Sequence, residues 1–257
     1  MYYLFQCTHA FLGKSWWAAE NVKKGTFRNI SNGLSIRKPD LMHKGLLEHA
    51  KTKKWVKEDT TEETFDWKLV MTGSSGKENE LEPSGREKQG LNLLDTNYSK
   101  LLPNCETRSL SSTMNSAFNG MVNVLRDDTI CMQGSFQTTG SQISLCSSEQ
   151  NLVKDIHFFT SYNPSISIYK PFVFPTTTTS DKESISKLLE MKEKSKGLWS
   201  LYHKLNRRDK KSIKETLIEK EKEIVNFILN LPLNEESLKN RNLYEEYIDQ
   251  ELQIVKM

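Results

Sequence analysis

The hydrophobic positions of this 257-residue chain change period twice. Leu41, Leu46, Leu47 and Ala50 recur at roughly helical spacing, and Pro39 stands near a helix start, so the pattern predicts a helix over 39–54. From Ser109 to Arg126, residues Met114, Phe118, Met121, Val122 and Leu125 share one helical face, the signature of a core-facing stripe. The period then shortens to two. Gln142–Leu145 alternates, Ile156–Thr160 is rich in β-forming residues, and from Ile166 to Phe174 the even positions carry the apolar side of an alternating run. Asn163-Pro164-Ser165 between the last two runs is a turn signal, which predicts an antiparallel pair. His157 and Lys170 fall on these strands and read as structural. Beyond Asp181 the helical period returns, broken at Pro232. Ile213, Leu217, Ile224 and Ile228 form one apolar seam, and Tyr244, Tyr247, Ile248 and Val255 form another. Such seams dock on a domain or pair with another helix, and they span too few heptads for a coiled coil.

The remaining stretches differ in texture. Trp16-Trp17-Ala18-Ala19 and Phe27-x-x-Ile30 have core character. Gly73 to Glu80, followed by Pro83-Ser84-Gly85, offers nothing apolar to bury and predicts an exposed loop. Hydrophobic residues make up 36% and charged residues 27%, as expected of a folded core joined to a solvated helical segment. Net charge is only +3, so charge supplies no argument for nucleic acid or an anionic membrane surface.

The four cysteines, Cys7, Cys105, Cys131 and Cys146, form no C-x-x-C pair and have no histidine cluster beside them, which argues against zinc. Reduced thiols are the expected state. The apolar start Met1–Phe5 lacks a basic flank and is too short for a signal peptide or membrane span. The triplets Asn29-Ile30-Ser31 and Asn97-Tyr98-Ser99 are expected to go unglycosylated. These features predict a soluble, cytoplasmic protein with no cofactor, no metal, no membrane span and no nucleic-acid partner.

The usual catalytic signatures are missing: no glycine-rich phosphate loop, no H-E-x-x-H, no G-x-S-x-G. Ser31 has no base nearby in sequence. Cys105 and Cys131 have no neighbour that would lower their pKa, and read as ordinary thiols. Cys7 has two readings. Removal of six residues would expose Cys7-Thr8 as an amino-terminal nucleophile whose α-amine acts as base; otherwise Cys7 is a small residue on a strand.

Several short blocks, in order, resemble the secernin family, which is related to cysteine dipeptidases of the N-terminal-nucleophile class. Trp16-Trp17-Ala18-Ala19-Glu20-Asn21-Val22 leads into Arg28-Asn29-Ile30-Ser31-Asn32-Gly33-Leu34-Ser35-Ile36. Ser84-Gly85-Arg86, Gly90 and Leu93-Leu94 follow, then Leu125-Arg126-Asp127 and Phe136-x-Thr138-Thr139. Ile156-His157-Phe158-Phe159-Thr160, Asn163-Pro164 and Tyr169-Lys170-Pro171-Phe172-Val173-Phe174 close the series. Leu201-Tyr202-His203-Lys204 is similar to a helix in the family's tail.

The resemblance implies an α+β fold: part of the four-layer αββα arrangement of N-terminal-nucleophile hydrolases, with the C-terminal half of that domain over 1–175 and a charged helical tail over 176–257. It implies hydrolysis of dipeptides through an acyl-cysteine in the full family. The family's nucleophilic Cys and its G-K-N-S-D-R segment lie well upstream of the Trp-Ala-Ala block. Cys7 therefore matches a mid-domain position, and the expectation is a chain without that nucleophile. Two site positions carry over. Asn32 matches an oxyanion-binding amide, or it belongs to an Asn-Gly turn. Arg86 matches an arginine near the nucleophile, or it is a surface residue. Three functions compete: inherited dipeptidase activity, a non-catalytic regulatory or interaction role linked to exocytosis through a protein partner of the helical tail, and a truncated product with no role of its own.

Overall fold

The backbone of Tyr2–His9 (β1) lies antiparallel to Ser15–Val22 (β2), in unbroken register from Tyr2 opposite Val22 to His9 opposite Ser15. Leu41–Met42 (β3) pairs antiparallel with the other side of β2, opposite Ala19 and Ala18. The computed structural model describes residues 2–9, 15–23, 25–30, 34–72, 83, 85–98, 110–146, 156–172, 182–230 and 243–256. By packing, the chain divides into two units, Met1–Thr96 and Asn97–Met257.

In the first unit, β2 buries Trp16, Ala18 and Ala19 while Ser15 is exposed. The helix expected over 39–54 is shorter, Leu46–Thr52 (α1). The reason is local. Gly45 sits at φ 86°, a left-handed conformation that suits a residue without Cβ. Leu41 before it is strand-paired and half-exposed rather than part of a helical stripe.

Trp67–Thr72 (α2) starts at Asp66, whose Oδ1 accepts the Leu69 N–H at 3.0 Å as a side-chain cap. Asp66 Oδ2 also accepts Arg37 Nε–H at 2.7 Å. Trp16, Ala18, Ile36, Leu46, Ala50, Phe65 and Trp67 form the core here. Gly85–Tyr98 (α3) follows, where the sequence pattern carries no helical stripe.

The second unit opens with Leu110–Arg126 (α4) and holds an antiparallel sheet of Gln142–Leu145 (β4), Ile156–Phe159 (β5) and Lys170–Phe172 (β6). The pair expected across Asn163-Pro164-Ser165 is present: Phe159 lies opposite Lys170 and His157 opposite Phe172. The last strand begins later than the alternation from Ile166 suggested. Asn163 starts a tight turn in which its Oδ1 accepts the Ser165 N–H at 2.9 Å, and regular pairing resumes only at Lys170.

Lys182–Lys204 (α5), Arg207–Asn230 (α6) and Leu243–Lys256 (α7) complete the unit. Their apolar seams dock on the sheet rather than standing apart as a tail. Leu198 and Tyr202 of α5, Leu217, Ile224 and Ile228 of α6, and Tyr247 and Val255 of α7 share one core with Phe118, Ile143, Phe158 and Ile168. Tyr202 stacks on Tyr162 with ring centroids 4.8 Å apart. The expected α4 stripe faces inward, with Phe118 and Val122 buried and Met114, Met121 and Leu125 packed around them. Among the described residues, no helix is long and apolar enough to cross a membrane.

Candidate functional site

Asn32 lies outside the described residues, as do Ser31 and Cys105. Arg86 sits half-buried in the first turn of α3. Its neighbourhood brings two separate stretches of the chain together. Asn29 Nδ2 donates to the Glu87 carbonyl oxygen at 2.9 Å, across 58 residues. Gly90, one turn further on, leaves the room this contact needs. A Cβ there would lie 2.4 Å from Asn29 Nδ2 and 2.9 Å from its Cγ, closer than van der Waals contact allows.

Beneath the same turn, Lys68 Nζ of α2 and Glu87 Oε2 approach to 4.0 Å, with both side chains more than nine-tenths buried. Asn29 on its carbonyl and Lys68 near its carboxylate therefore both meet Glu87, the residue after Arg86. Asn29 and Glu87 were not singled out by the sequence as site residues. Asn29 stood in the sequence as part of the R-N-I-S-N block and of a glycosylation triplet, and Glu87 lay unquoted between Arg86 and Gly90.

A groove of about 560 Å³ opens elsewhere in the first unit, beside β2 and α1. Its rim includes Trp16, His43, Lys44, Glu48 and His49. Trp16 is flanked by His43 and His49, with ring centroids 4.9 and 4.8 Å away, and His49 meets Trp55 at 5.2 Å. Trp16 Nε1 and His43 Nδ1 are buried without a hydrogen-bond partner among the described residues.

In the second unit, charged side chains enter the core, each with a partner. Arg126, at the end of α4, donates through Nη1 and Nη2 to the two Glu221 carboxylate oxygens, both at 2.8 Å. Its Nε donates to the Pro164 carbonyl at 2.6 Å, and Nη2 also to that of Ser167 at 3.1 Å. Glu221 Oε2 in turn accepts the Tyr169 N–H at 2.8 Å. This fork-on-fork geometry holds a planar carboxylate more tightly than a lysine could.

One turn of chain away, Lys170 donates to Glu251 and, at 3.0 Å, to the Ile168 carbonyl. Glu251 Oε1 accepts from Ser167 Oγ at 2.8 Å and from the Ile168 N–H at 3.1 Å, and lies 2.7 Å from the Tyr202 hydroxyl. Burial, reinforced by the Glu251 carboxylate, holds the Tyr202 hydroxyl well above the usual phenol range. Arg126, Tyr202, Glu221 and Glu251 come from four separate helices. They tie α4, α5, α6 and α7 to the turn before β6 and to β6 itself.

The thiols follow the expected pattern where they are described. Cys131 is buried, its Sγ 3.2 Å from Asn163 Oδ1, and burial pushes its pKa up, so it stays a thiol. Cys146 is exposed. The backbone of Cys7 lies inside β1 opposite Trp17, with five strand residues before it. Ser144 Oγ and His157 Nδ1 pair across β4 and β5 at 2.9 Å. Ser144 also accepts from Gln142 Nε2 at 2.9 Å. Among the described residues, no group of three His, Cys, Asp or Glu side chains is placed to hold a metal ion.

The sequence matches no protein-family model, and no solved structure matches the fold.

Proposed function

We propose that this chain is a cytoplasmic secernin-like protein, from the family related to cysteine dipeptidases, and that this stretch acts as a non-catalytic scaffold for a protein partner. The observation that carries the family reading is the contact between Asn29 and the first turns of α3 at Glu87 and Gly90. Asn29 belongs to the R-N-I-S-N block and Gly90 to the block that begins S-G-R, and two blocks of one family pattern gain meaning by meeting in space. The two three-stranded antiparallel sheets are the pieces that a four-layer αββα domain would draw on. In this reading Arg86 is a remnant of a substrate-polarising region, and Asn32, outside the described residues, is the family's oxyanion-binding amide.

The non-catalytic part rests on the thiols. An amino-terminal nucleophile needs a free α-amine on the same residue. Cys7 has a peptide bond in its place, with strand residues before and after it along β1. Cys131 is held protonated by burial. The partner would meet the outward Lys and Glu faces of α5, α6 and α7, because their apolar faces are already in the core.

Incubation of the purified chain with a panel of dipeptides, read by release of free amino acids, tests this reading. No cysteine-dependent release is the expected result. Release that disappears in Cys7→Ala would establish the hydrolase instead.

A further inference from the structure

The groove beside β2 and α1 is bordered by groups that the fold leaves without partners. Gly45, at φ 86°, turns the chain from β3 into α1. Just before it, His43 is pinned by its backbone N–H, which donates to the Trp17 carbonyl at 2.9 Å. The turn brings Lys44 and, one helical turn later, His49 to the border of a single groove that also holds Trp16 and His43. Its volume of about 560 Å³ is that of a small-molecule site.

Unmet hydrogen bonding is the first guide to a ligand. Trp16 is only 4% exposed, and its Nε1, like His43 Nδ1, is buried without a partner among the described residues. An indole N–H can only donate, and a buried one usually finds an acceptor. Lys44 and His49 likewise make no side-chain hydrogen bond or ion pair with another described residue.

Charge is the second guide. An ammonium, an indole N–H and imidazoles that can donate are complemented by an acceptor with negative charge. Glu48 is the acid among the described lining residues. Its carboxylate lies 3.9 Å from Lys51 Nζ, and its side chain is 79% exposed. Shape is the third. His43 stands edge-on to the Trp16 ring at 85°, and His49 leans against it at 36°. Aromatic surfaces of this kind pack against a flat ring.

We propose that this groove binds a small molecule that joins a flat ring to an oxyanion, either a phosphate or a carboxylate. The oxyanion meets Lys44 and the imidazole N–H groups, and the ring lies against the aromatic walls. The site lies wholly within the first unit and owes nothing to the family resemblance.

Isothermal titration of the full chain with phenyl phosphate and with benzoate tests the site and shows which oxyanion it prefers. Saturable one-to-one binding of at least one of them is expected. Inorganic phosphate, which lacks the ring, and benzyl alcohol, which lacks the charge, should each bind more weakly. Lys44 is exposed, so Lys44→Ala should keep its thermal transition while affinity falls about tenfold, the worth of a hydrogen bond to a charged group. His49→Gln should weaken binding as well. Lys53→Ala removes an equal charge at the end of the same helix, outside the groove, and should leave affinity unchanged. No saturable binding of either anionic probe, equal affinity for benzyl alcohol, or equal affinity in Lys44→Ala and the unaltered chain would overturn the proposal.

Discussion

Lys170 and Glu251, 81 residues apart, form an ion pair with neither side chain exposed to solvent. Lys170 occupies an even position of an alternating strand, where its neighbours Ile168 and Phe172 are apolar. An ammonium at that position is costly unless its charge is matched. Glu251 matches it, and Ser167, Ile168 and Tyr202 satisfy the rest of the carboxylate. The pair fastens the last helix to the last described strand.

Removal of one partner leaves the other charge buried. Lys170→Met and Glu251→Gln should each lower the unfolding free energy by about 3–5 kcal/mol, read by urea denaturation. The double variant Lys170→Met with Glu251→Leu should recover part of that loss, because no unmatched charge remains. Additive losses would mean the two side chains do not interact.

A methyl group at position 90 would collide with Asn29. Gly90→Ala should cost about 1–3 kcal/mol by thermal unfolding, as overpacking does. Asn29→Ala should cost less alone, since it gives up one hydrogen bond. In the Asn29→Ala background, Gly90→Ala should become close to neutral. Equal cost in both backgrounds would place the strain elsewhere.

Alkaline stability should turn on buried tyrosine. Burial raises Tyr98 from 10.0 to about 12, while its hydroxyl donates to the Ala117 carbonyl at 2.7 Å. The native state therefore holds its proton more tightly than the unfolded chain. That contribution is complete below pH 10 and falls as the pH rises from 10 to 12. Lys194 adds in the same direction: its ammonium donates to Glu245 and to Asp249, which raises it from 10.5 to about 12, so its screened surface share is lost between those values. Tyr98→Phe should be less stable at neutral pH by about 1 kcal/mol, the worth of one hydrogen bond. Its melting temperature should fall less steeply above pH 10 than that of the unaltered chain.

Much of the second unit was legible in the sequence. The α4 stripe, the β5–β6 pair and its Asn163 turn, and the apolar seams of α6 and α7 all follow from local period. Where those seams dock was not legible, because the partner surfaces are set by residues such as Phe118 and Ile168 far away in the chain. The burial of Lys170 was hidden for the same reason: nothing near it in sequence announces Glu251. In the first unit, Gly45 overrode a helical spacing that included Leu41, and α3 formed in a stretch whose apolar positions had announced no element. Of the two carried-over positions, Arg86 falls in a described helix and Asn32 falls outside the described residues. Nothing in the sequence announced that Asn29 would reach the Glu87 carbonyl in the same helical turn as Arg86.

The account centres on a chain in which Cys7 is an interior strand residue and not an amino-terminal nucleophile. Intact-mass spectrometry with amino-terminal sequencing of the protein purified from its own cells measures this directly. The account predicts that residues preceding Cys7 remain attached. A chain beginning at Cys7, with the mass to match, would contradict it and restore the hydrolase.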